Sequence, residues 1–167
     1  MKAILRNRCE NRRKAGGFTM LEMMIIVVII GIVAALAVPT FFASMPRMRA
    51  RTEARNVLNM MRLARSKAIS EGAQYGVYVD ISNNQYLLFK DISNPASMVY
   101  ELADSIVTGP EPIQPDVVPT SSFTGDAVVF LPTGRASESG NFTFDITDGG
   151  ALRTVSVLAS TGRSKMQ

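Results

Sequence analysis

The sequence predicts an α+β fold, in which one long N-terminal helix packs on a C-terminal antiparallel β-sheet or sandwich head. The first observation behind this prediction is a nearly unbroken apolar run from Met23 to Phe42. The second is an apolar repeat at three- and four-residue spacing between residues 54 and 68. The third is a switch to two-residue alternation after Ala73, which is the period of a half-buried strand.

The apolar run is long enough to span a membrane. Helical residues rise about 1.5 Å each, so about 20 of them cover the ~30 Å hydrocarbon core of a bilayer. Thr40 is the only side chain in the run that carries a hydroxyl. Glu22 lies just before the run, where an unpaired charge costs at least ~2.5 kcal/mol on membrane-insertion scales. We therefore expect Glu22 to have a charged partner.

A specific resemblance begins at the same place. A basic leader precedes the apolar helix, and between them stands the motif Gly17-Phe18-Thr19-Met20-Leu21-Glu22. It resembles the processing site of type IV prepilins and type II secretion pseudopilins, although Met20-Leu21 stands where Leu-Ile is commonest. The resemblance implies that a prepilin peptidase cuts between Gly17 and Phe18, and that Phe18 becomes the N-methylated first residue. It also implies that Glu22 pairs with the terminal amine of a neighbouring subunit. The alternative is an ordinary signal anchor that contains a glutamate.

Processing at this site changes the charge of the chain. The precursor has 18 basic and 14 acidic residues, and the leader, residues 1–17, holds six of the basic ones and one of the acidic ones. Residues 18–167 therefore carry 12 basic and 13 acidic side chains. The positive-inside rule keeps the leader cytoplasmic, but several arginines just after the span compete with it. The processing motif favours a single-pass protein of the bacterial inner membrane with a periplasmic head.

The residue types argue against catalysis. The chain has no histidine, and its one cysteine, Cys9, lies in the leader. Ser-His-Asp and Cys-His arrangements and the usual zinc sites are therefore excluded, and we expect neither an enzyme nor a cofactor. Asp145 and the segment Asp148-Gly149-Gly150 resemble a calcium loop in composition. A hairpin turn explains the same residues, and the spacing lacks the repeated oxygen ligands of such loops, so we expect no metal site.

The predicted helix has a transmembrane part, residues 18–45, and an amphipathic part, residues 46–72. Gly31 and Pro39 weaken the first part. In pilins this region can lose helicity on assembly, and a simple kink explains the two residues equally well. The apolar stripe of the second part comprises Ala54, Val57, Leu58, Met61, Ala64 and Ala68. Gly72 is expected to end the helix.

Residues 73–167 are predicted to form the β-rich head. A hairpin is expected around Ser82-Asn83-Asn84, with its return strand at residues 86–90. Five of the eight prolines fall within residues 91–126, which predicts long surface connections with at most one or two short strands. Three further strands are predicted at residues 127–131, 141–146 and 152–158.

A second resemblance lies in the C-terminal half. The segment 130–136, the strands after it and the closing Thr161-Gly162-Arg163 are similar to GspH/FimT-type pseudopilins, as are residues 62–69. Certain FimT-like pilins bind DNA through a basic C-terminal region, which here would comprise Arg153, Arg163 and Lys165. Against nucleic acid, residues 71–167 carry 5 basic and 11 acidic side chains, a net charge of −6 that repels phosphates.

Together these resemblances imply a structural subunit. It would be a minor pseudopilin of a type II secretion pseudopilus or a minor pilin of a type IV pilus, acting at the tip or in assembly initiation. Its partners would be other pilins, the prepilin peptidase and the inner-membrane assembly platform. The alternative is a DNA-binding minor pilin of a DNA-uptake pilus. Residues 46–70 carry seven cations against one glutamate, so either they face the acidic head of a neighbour or they form a solvated collar beside lipid headgroups.

Overall fold

A computed structural model describes residues 17–147 and 152–167. The chain divides between Phe42 and Ala43 into two compact units. We refer to them as the N-terminal unit, described from residue 17 to residue 42, and the C-terminal unit, residues 43–167 without 148–151. The division predicted from the sequence, with boundaries after residues 17, 45 and 72, stays a prediction.

The first element is the helix α1, Met20–Glu71, as predicted from the apolar run and the amphipathic repeat. It begins where the Thr19 side chain accepts a hydrogen bond from the Glu22 backbone N–H at 3.2 Å, which satisfies one of the free donors of the first turn. It ends at Gly72, which has a left-handed φ of +63° and so terminates the helix without steric cost. The helix is continuous through Gly31 and Pro39.

Within the described residues eight strands follow, and they form two antiparallel sheets. The first sheet has the order β3-β2-β1-β5 and the second has the order β4-β6-β7-β8. A single 3-10 turn, Thr124–Asp126, precedes β5. The strands are β1 Gln74–Asp80, β2 Gln85–Asp91, β3 Ser105–Pro112, β4 Val117–Ser121, β5 Ala127–Phe130, β6 Gly140–Ile146, β7 Arg153–Leu158 and β8 Arg163–Met166.

The predicted strands are present, and two regions differ from expectation. In the proline-rich segment, β3 is eight residues long and contains Pro110 and Pro112. It lies at the edge of its sheet and β4 at the edge of the other, where a missing N–H costs no ladder bond. The strand β8 was not predicted, because its polar residues had been interpreted as a closing turn. It pairs with β7 from Leu158↔Arg163 to Val155↔Met166.

One hydrophobic core joins the second half of α1 to the inner faces of both sheets. All six residues of the predicted stripe are buried in it, with Leu58 the most exposed at 7%. From the sheets, Val77 and Phe130 of the first and Phe142 and Phe144 of the second are fully buried. The three alanines of the stripe, Ala54, Ala64 and Ala68, are completely buried in this core.

A second, smaller core covers the outer face of the first sheet. Leu87 and Phe89 lie there beneath the segment 92–104, whose Tyr100 stacks on Tyr78 at 4.7 Å between ring centroids. The segment is anchored by Asp104, whose carboxylate accepts four hydrogen bonds at 2.8 to 3.1 Å, from the Ile92, Ser93 and Glu101 backbone N–H groups and the Ser93 hydroxyl. These hydrogen bonds and ring contacts fix the segment against the first sheet.

Candidate assembly sites

The N-terminal unit presents its processing and pairing residues at the start of α1. Thr19 and Glu22 stand three residues apart, and Thr19 caps the turn that contains Glu22. The Glu22 carboxylate is exposed and makes no ion pair with any residue that the structure describes. Sequence reasoning missed the role of Thr19, although Thr-x-x-Glu before an apolar run is a recognisable capping signal. The predicted partner of Glu22 must therefore come from outside the described chain.

The two glycines that the sequence singled out in this unit have no structural need to be glycine. A Cβ atom added to Gly17 or to Gly31 would meet no atom within 4 Å, and neither residue has a left-handed φ. Phe18, the residue after the predicted cut, is 74% exposed. If Gly17 is required, the requirement comes from a molecule that binds this segment and not from the fold.

Every described residue of the N-terminal unit is exposed, although most of them are apolar. Among the described residues, α1 is the one helix long and apolar enough to cross a membrane, judged by length and composition. Burying such a surface releases about 25 cal/mol per Å² of apolar area. The unit therefore needs a cover of lipid or of other apolar helices.

The cations at the start of the C-terminal unit fall into two groups. Arg49 pairs with Asp116 at 3.0 Å, and Lys67 with Glu71 at 3.2 Å, while Arg65 donates through Nε to the Gly134 carbonyl at 2.9 Å. The others are exposed and have no acidic partner among the described residues. These free cations are Arg47, Arg51, Arg55 and Arg62, and at 100° per residue they fall within one 80° arc of the helix.

Glu53 is the one acidic residue between residues 46 and 70, and it does not balance the cations. It is buried at 5% exposure and accepts a hydrogen bond from Asn56 at 3.5 Å. Burial raises the pKa of Glu53, even though the Asn56 side chain and the Gln114 backbone bond to it. The exposed surface of the helix is thus more uniformly positive than the sequence count suggests.

A basic pocket lies where the helix meets the end of β8. Its volume is about 400 Å³, and it is lined by Arg62, Arg65, Ser66, Ile69, Gly162, Arg163 and Ser164. The two Thr-Gly-Arg turns, residues 133–135 and 161–163, come together at its base. Both of their glycines have a left-handed φ, +78° at Gly134 and +61° at Gly162. A Cβ atom on Gly162 would overlap the Gly134 carbonyl, so only glycine permits this approach.

The three C-terminal cations proposed as nucleic-acid contacts are not brought together. Lys165 alternates with the inward-facing Met166 of β8 and points to the opposite face, whereas Arg163, at the start of β8, lines the basic pocket beside the helix. Arg153 has the same parity as the buried Val155 of β7, so it lies toward the other face of the sheet. None of the three forms an ion pair within the described residues.

The described residues contain no group of three or more His, Cys, Asp or Glu side chains that could hold a metal ion. Asp145 uses one carboxylate oxygen to accept the Ile146 backbone N–H at 2.8 Å. Asp148, Gly149 and Gly150, the rest of the segment considered for calcium, lie outside the described residues, as does Cys9.

This arrangement of a capped, exposed apolar helix and a two-sheet head is the architecture of type IV pilin-like proteins, and comparisons with known proteins agree. The family model for type II transport protein GspH matches residues 53–161, and the model for the prokaryotic N-terminal methylation motif matches residues 12–38. The chain belongs to the GspH family. The family recognition and the fold predicted from the sequence are both confirmed, and they are those of structural pilins and pseudopilins.

Solved structures show the same fold at low identity. The minor pseudopilin EpsH from the Type 2 Secretion System of Vibrio cholerae superposes with a TM-score of 0.57 at 10% identity, covering 71% of this chain and 96% of that one. The type IV minor pilin FimU of Pseudomonas aeruginosa superposes with a TM-score of 0.52 at 15% identity, covering 70% and 91%. A search of curated proteins found no match.

Proposed function

We propose that the chain is a structural filament subunit, a minor pseudopilin or minor pilin, which acts at the tip or in the initiation of assembly. The observation that carries this proposal is the fully exposed apolar helix of the N-terminal unit, with Glu22 in its first turn and no ion pair to it from the described part of the chain. Membership of the GspH family supports it, and so does the likeness to EpsH and FimU, which are a minor pseudopilin and a minor pilin.

The proposed sequence of events begins at the membrane. The leader stays in the cytoplasm, the apolar helix spans the inner membrane and the C-terminal unit lies in the periplasm. Prepilin peptidase cuts between Gly17 and Phe18, and Phe18 is then N-methylated. The assembly platform next moves the subunit into the filament, where neighbouring apolar helices replace lipid as the cover of residues 18–42. Softening of α1 at Gly31 and Pro39 belongs to this last step.

Glu22 guides the subunit into place in this scheme. Glu22 lies four residues beyond the new amino terminus, and its backbone N–H donates to the Thr19 side chain at the start of the helix. In an apolar surrounding, a carboxylate and an amine of a neighbour attract strongly, and each also relieves the cost of desolvating the other. The pair therefore favours the one axial position in which the two charges meet.

The Glu22→Ala variant tests this proposal. We expect it to be cleaved and inserted normally, because the peptidase site is intact, and to appear in the sheared filament fraction at about one tenth of the normal level, as for loss of one buried charge pair. Thr19→Ala is the matched control, since it removes the cap and keeps the carboxylate. Normal incorporation of the alanine variant at position 22 would contradict the assembly role of Glu22.

Nucleic-acid binding is the second candidate, and one observation favours it. Arg163 and Lys165 lie two residues apart on β8, and neither pairs with an acidic side chain that the structure describes. A mobility-shift titration with duplex DNA at low salt tests this candidate, with Arg163→Ala plus Lys165→Ala compared with Arg153→Ala. A shift that the double variant abolishes and that weakens steeply with salt would establish it. We favour the structural role because the C-terminal part of the chain is strongly acidic.

A further inference from the structure

The basic pocket between α1 and β8 has no part in the steps described so far. Three of its lining residues are arginines, Arg62 and Arg65 from the helix and Arg163 from β8. The pocket lies entirely within the C-terminal unit. None of its lining residues is acidic, and no described carboxylate lies within ion-pair distance of the three guanidinium groups.

The fold holds one of these guanidinium groups in a fixed position. Arg65 donates through Nε to the Gly134 carbonyl at 2.9 Å, and it is only partly exposed. That carbonyl is itself positioned by the contact between the Gly134 and Gly162 turns, which no larger residue at position 162 would allow. The bond occupies Nε and leaves the two terminal nitrogens of Arg65, which can still donate to a carboxylate.

The positive charge of the pocket is not balanced by any residue of its lining. Arg65 is partly buried and Arg62 and Arg163 are exposed, and the lining of the pocket contains no acidic residue that could balance them. An anion in the pocket would be attracted to each of the three positive charges. Arginine suits such a site because its planar fork matches the two oxygens of a carboxylate, and Ser66 and Ser164 add hydroxyl donors at the wall.

We propose that this pocket receives an aspartate or glutamate side chain from a neighbouring pilin subunit. The proposal rests on the proposed function, since it supposes that the chain assembles with other pilins. A protein carboxylate fits better than a nucleic acid for two reasons. The pocket is a single concave site of about 400 Å³ and not an extended cationic track, and residues 71–167 carry a net charge of −6 that would repel a polyanion.

Photo-crosslinking in cells tests the proposal on the full-length chain. A benzophenone amino acid at Ser66, an exposed wall residue, reports what enters the pocket, and a second probe at Leu36 in the N-terminal unit reports general subunit contact. We expect Ser66 adducts to other pilin subunits, at peptides that contain an exposed acidic residue. Arg62→Glu plus Arg163→Glu should reduce these adducts about tenfold, as favourable charge contacts become like-charge contacts.

Two matched variants complete the design. Arg153→Glu reverses one charge at a residue that does not line the pocket and should leave the Ser66 adducts unchanged. Reversal of the crosslinked acidic residue of the partner to arginine should restore the adducts of the double variant, which a merely structural role for Arg62 and Arg163 would not do. Normal thermal unfolding of the double variant is expected, because its two side chains make no hydrogen bond within the described fold.

The outcomes separate this proposal from the function on which it rests. Leu36 adducts without Ser66 adducts, or Ser66 adducts that ignore the double reversal, would overturn the pocket and leave the subunit role intact. Nuclease-sensitive Ser66 adducts would also overturn it and would identify a nucleic-acid site. The absence of adducts to other pilins from both probes would contradict the subunit role itself.

Discussion

The two units of this chain treat their apolar residues in opposite ways. In residues 17–42 every residue is exposed, including Val27 at 65% and Leu36 at 72%, whereas in the C-terminal unit residues such as Val57, Phe89 and Phe142 are completely buried. In the C-terminal unit the apolar residues are buried against one another, so contacts within the unit explain why particular residues are needed. The N-terminal unit has requirements that only another molecule can meet, so its important residues look unconstrained. Gly17 and Glu22 are of this second kind.

The largest expected effect concerns Gly17. Gly17→Val should leave an unprocessed precursor in the inner membrane, because the side chain meets the peptidase and not the fold. The measurement is the mass of the N-terminal peptide, which for the unmutated protein should begin at Phe18. Gly31→Val is the matched control, since it adds the same side chain in equally open space and should be cleaved normally. Cleavage of both variants would contradict the view that Gly17 is required by the peptidase.

The next effect lies wholly within the C-terminal unit. Asp104→Ala removes the acceptor of four hydrogen bonds beneath the segment 92–104, and buried donors that lose their partner cost roughly 1–3 kcal/mol each if they remain dry. Because part of the segment can reach water, we expect about 2–3 kcal/mol less free energy of unfolding. Denaturant unfolding of the isolated C-terminal unit measures it. Asp104→Asn should lose less, and an unchanged midpoint for the alanine variant would contradict the anchor.

The smallest effect has the opposite sign. Asp91 is 4% exposed, its Oδ1 atom has no hydrogen-bond partner among the described residues, and burial together with Asp104 and Glu101 raises its pKa. A carboxyl group with a raised pKa stabilises the fold below its unfolded pKa, near 3.9, and loses that contribution as pH rises through its folded pKa. Asp91→Asn should therefore increase the free energy of unfolding at pH 7 by about 1 kcal/mol. It should also reduce the acid-side pH dependence, and a loss of stability at pH 7 would contradict this account.

Asp104 provides the internal comparison for that prediction. Burial also disfavours its charge, but the hydrogen bonds from Glu101, Ser93 and Ile92 outweigh burial and lower its pKa. Its contribution to stability is therefore present at neutral pH and is lost as pH falls through the folded pKa. The two aspartates thus respond to acid in opposite directions, because hydrogen bonds outweigh burial at Asp104, whereas the Oδ1 atom of Asp91 has no donor among the described residues.

The parts of the fold that follow a local period were predictable. The stripe from Ala54 to Ala68 and the alternation in β1 depend only on which face of an element meets the core, and both were correct. The strand β8 has weak alternation and polar residues, so its pairing with β7 could be found only in three dimensions. The long strand β3 was obscured by its prolines, which an edge position tolerates.

The candidate sites also differ in whether their residues are close together in the sequence. The processing motif is contiguous in sequence and was recognised directly. The pocket joins Arg65 to Gly134, 69 residues away, and Asp104 bonds back to Ile92 and Ser93, so both depend on which loops the sheets bring together. Residues that are close in sequence can also lie apart in the fold. Arg153 is only ten residues from Arg163, yet the two do not lie on the same surface.

The contact between the two Thr-Gly-Arg turns has a consequence for how the chain can vary. A side chain at position 162 would displace the Gly134 carbonyl, and this would also break the bond to Arg65. Substitutions at the three positions therefore damage one shared arrangement, and their costs are not additive. Once either glycine is replaced, the bond between Arg65 and Gly134 is lost, and selection no longer maintains Arg65 for the sake of that bond. The two tripeptides and this arginine should accordingly be inherited together or lost together, as one epistatic unit.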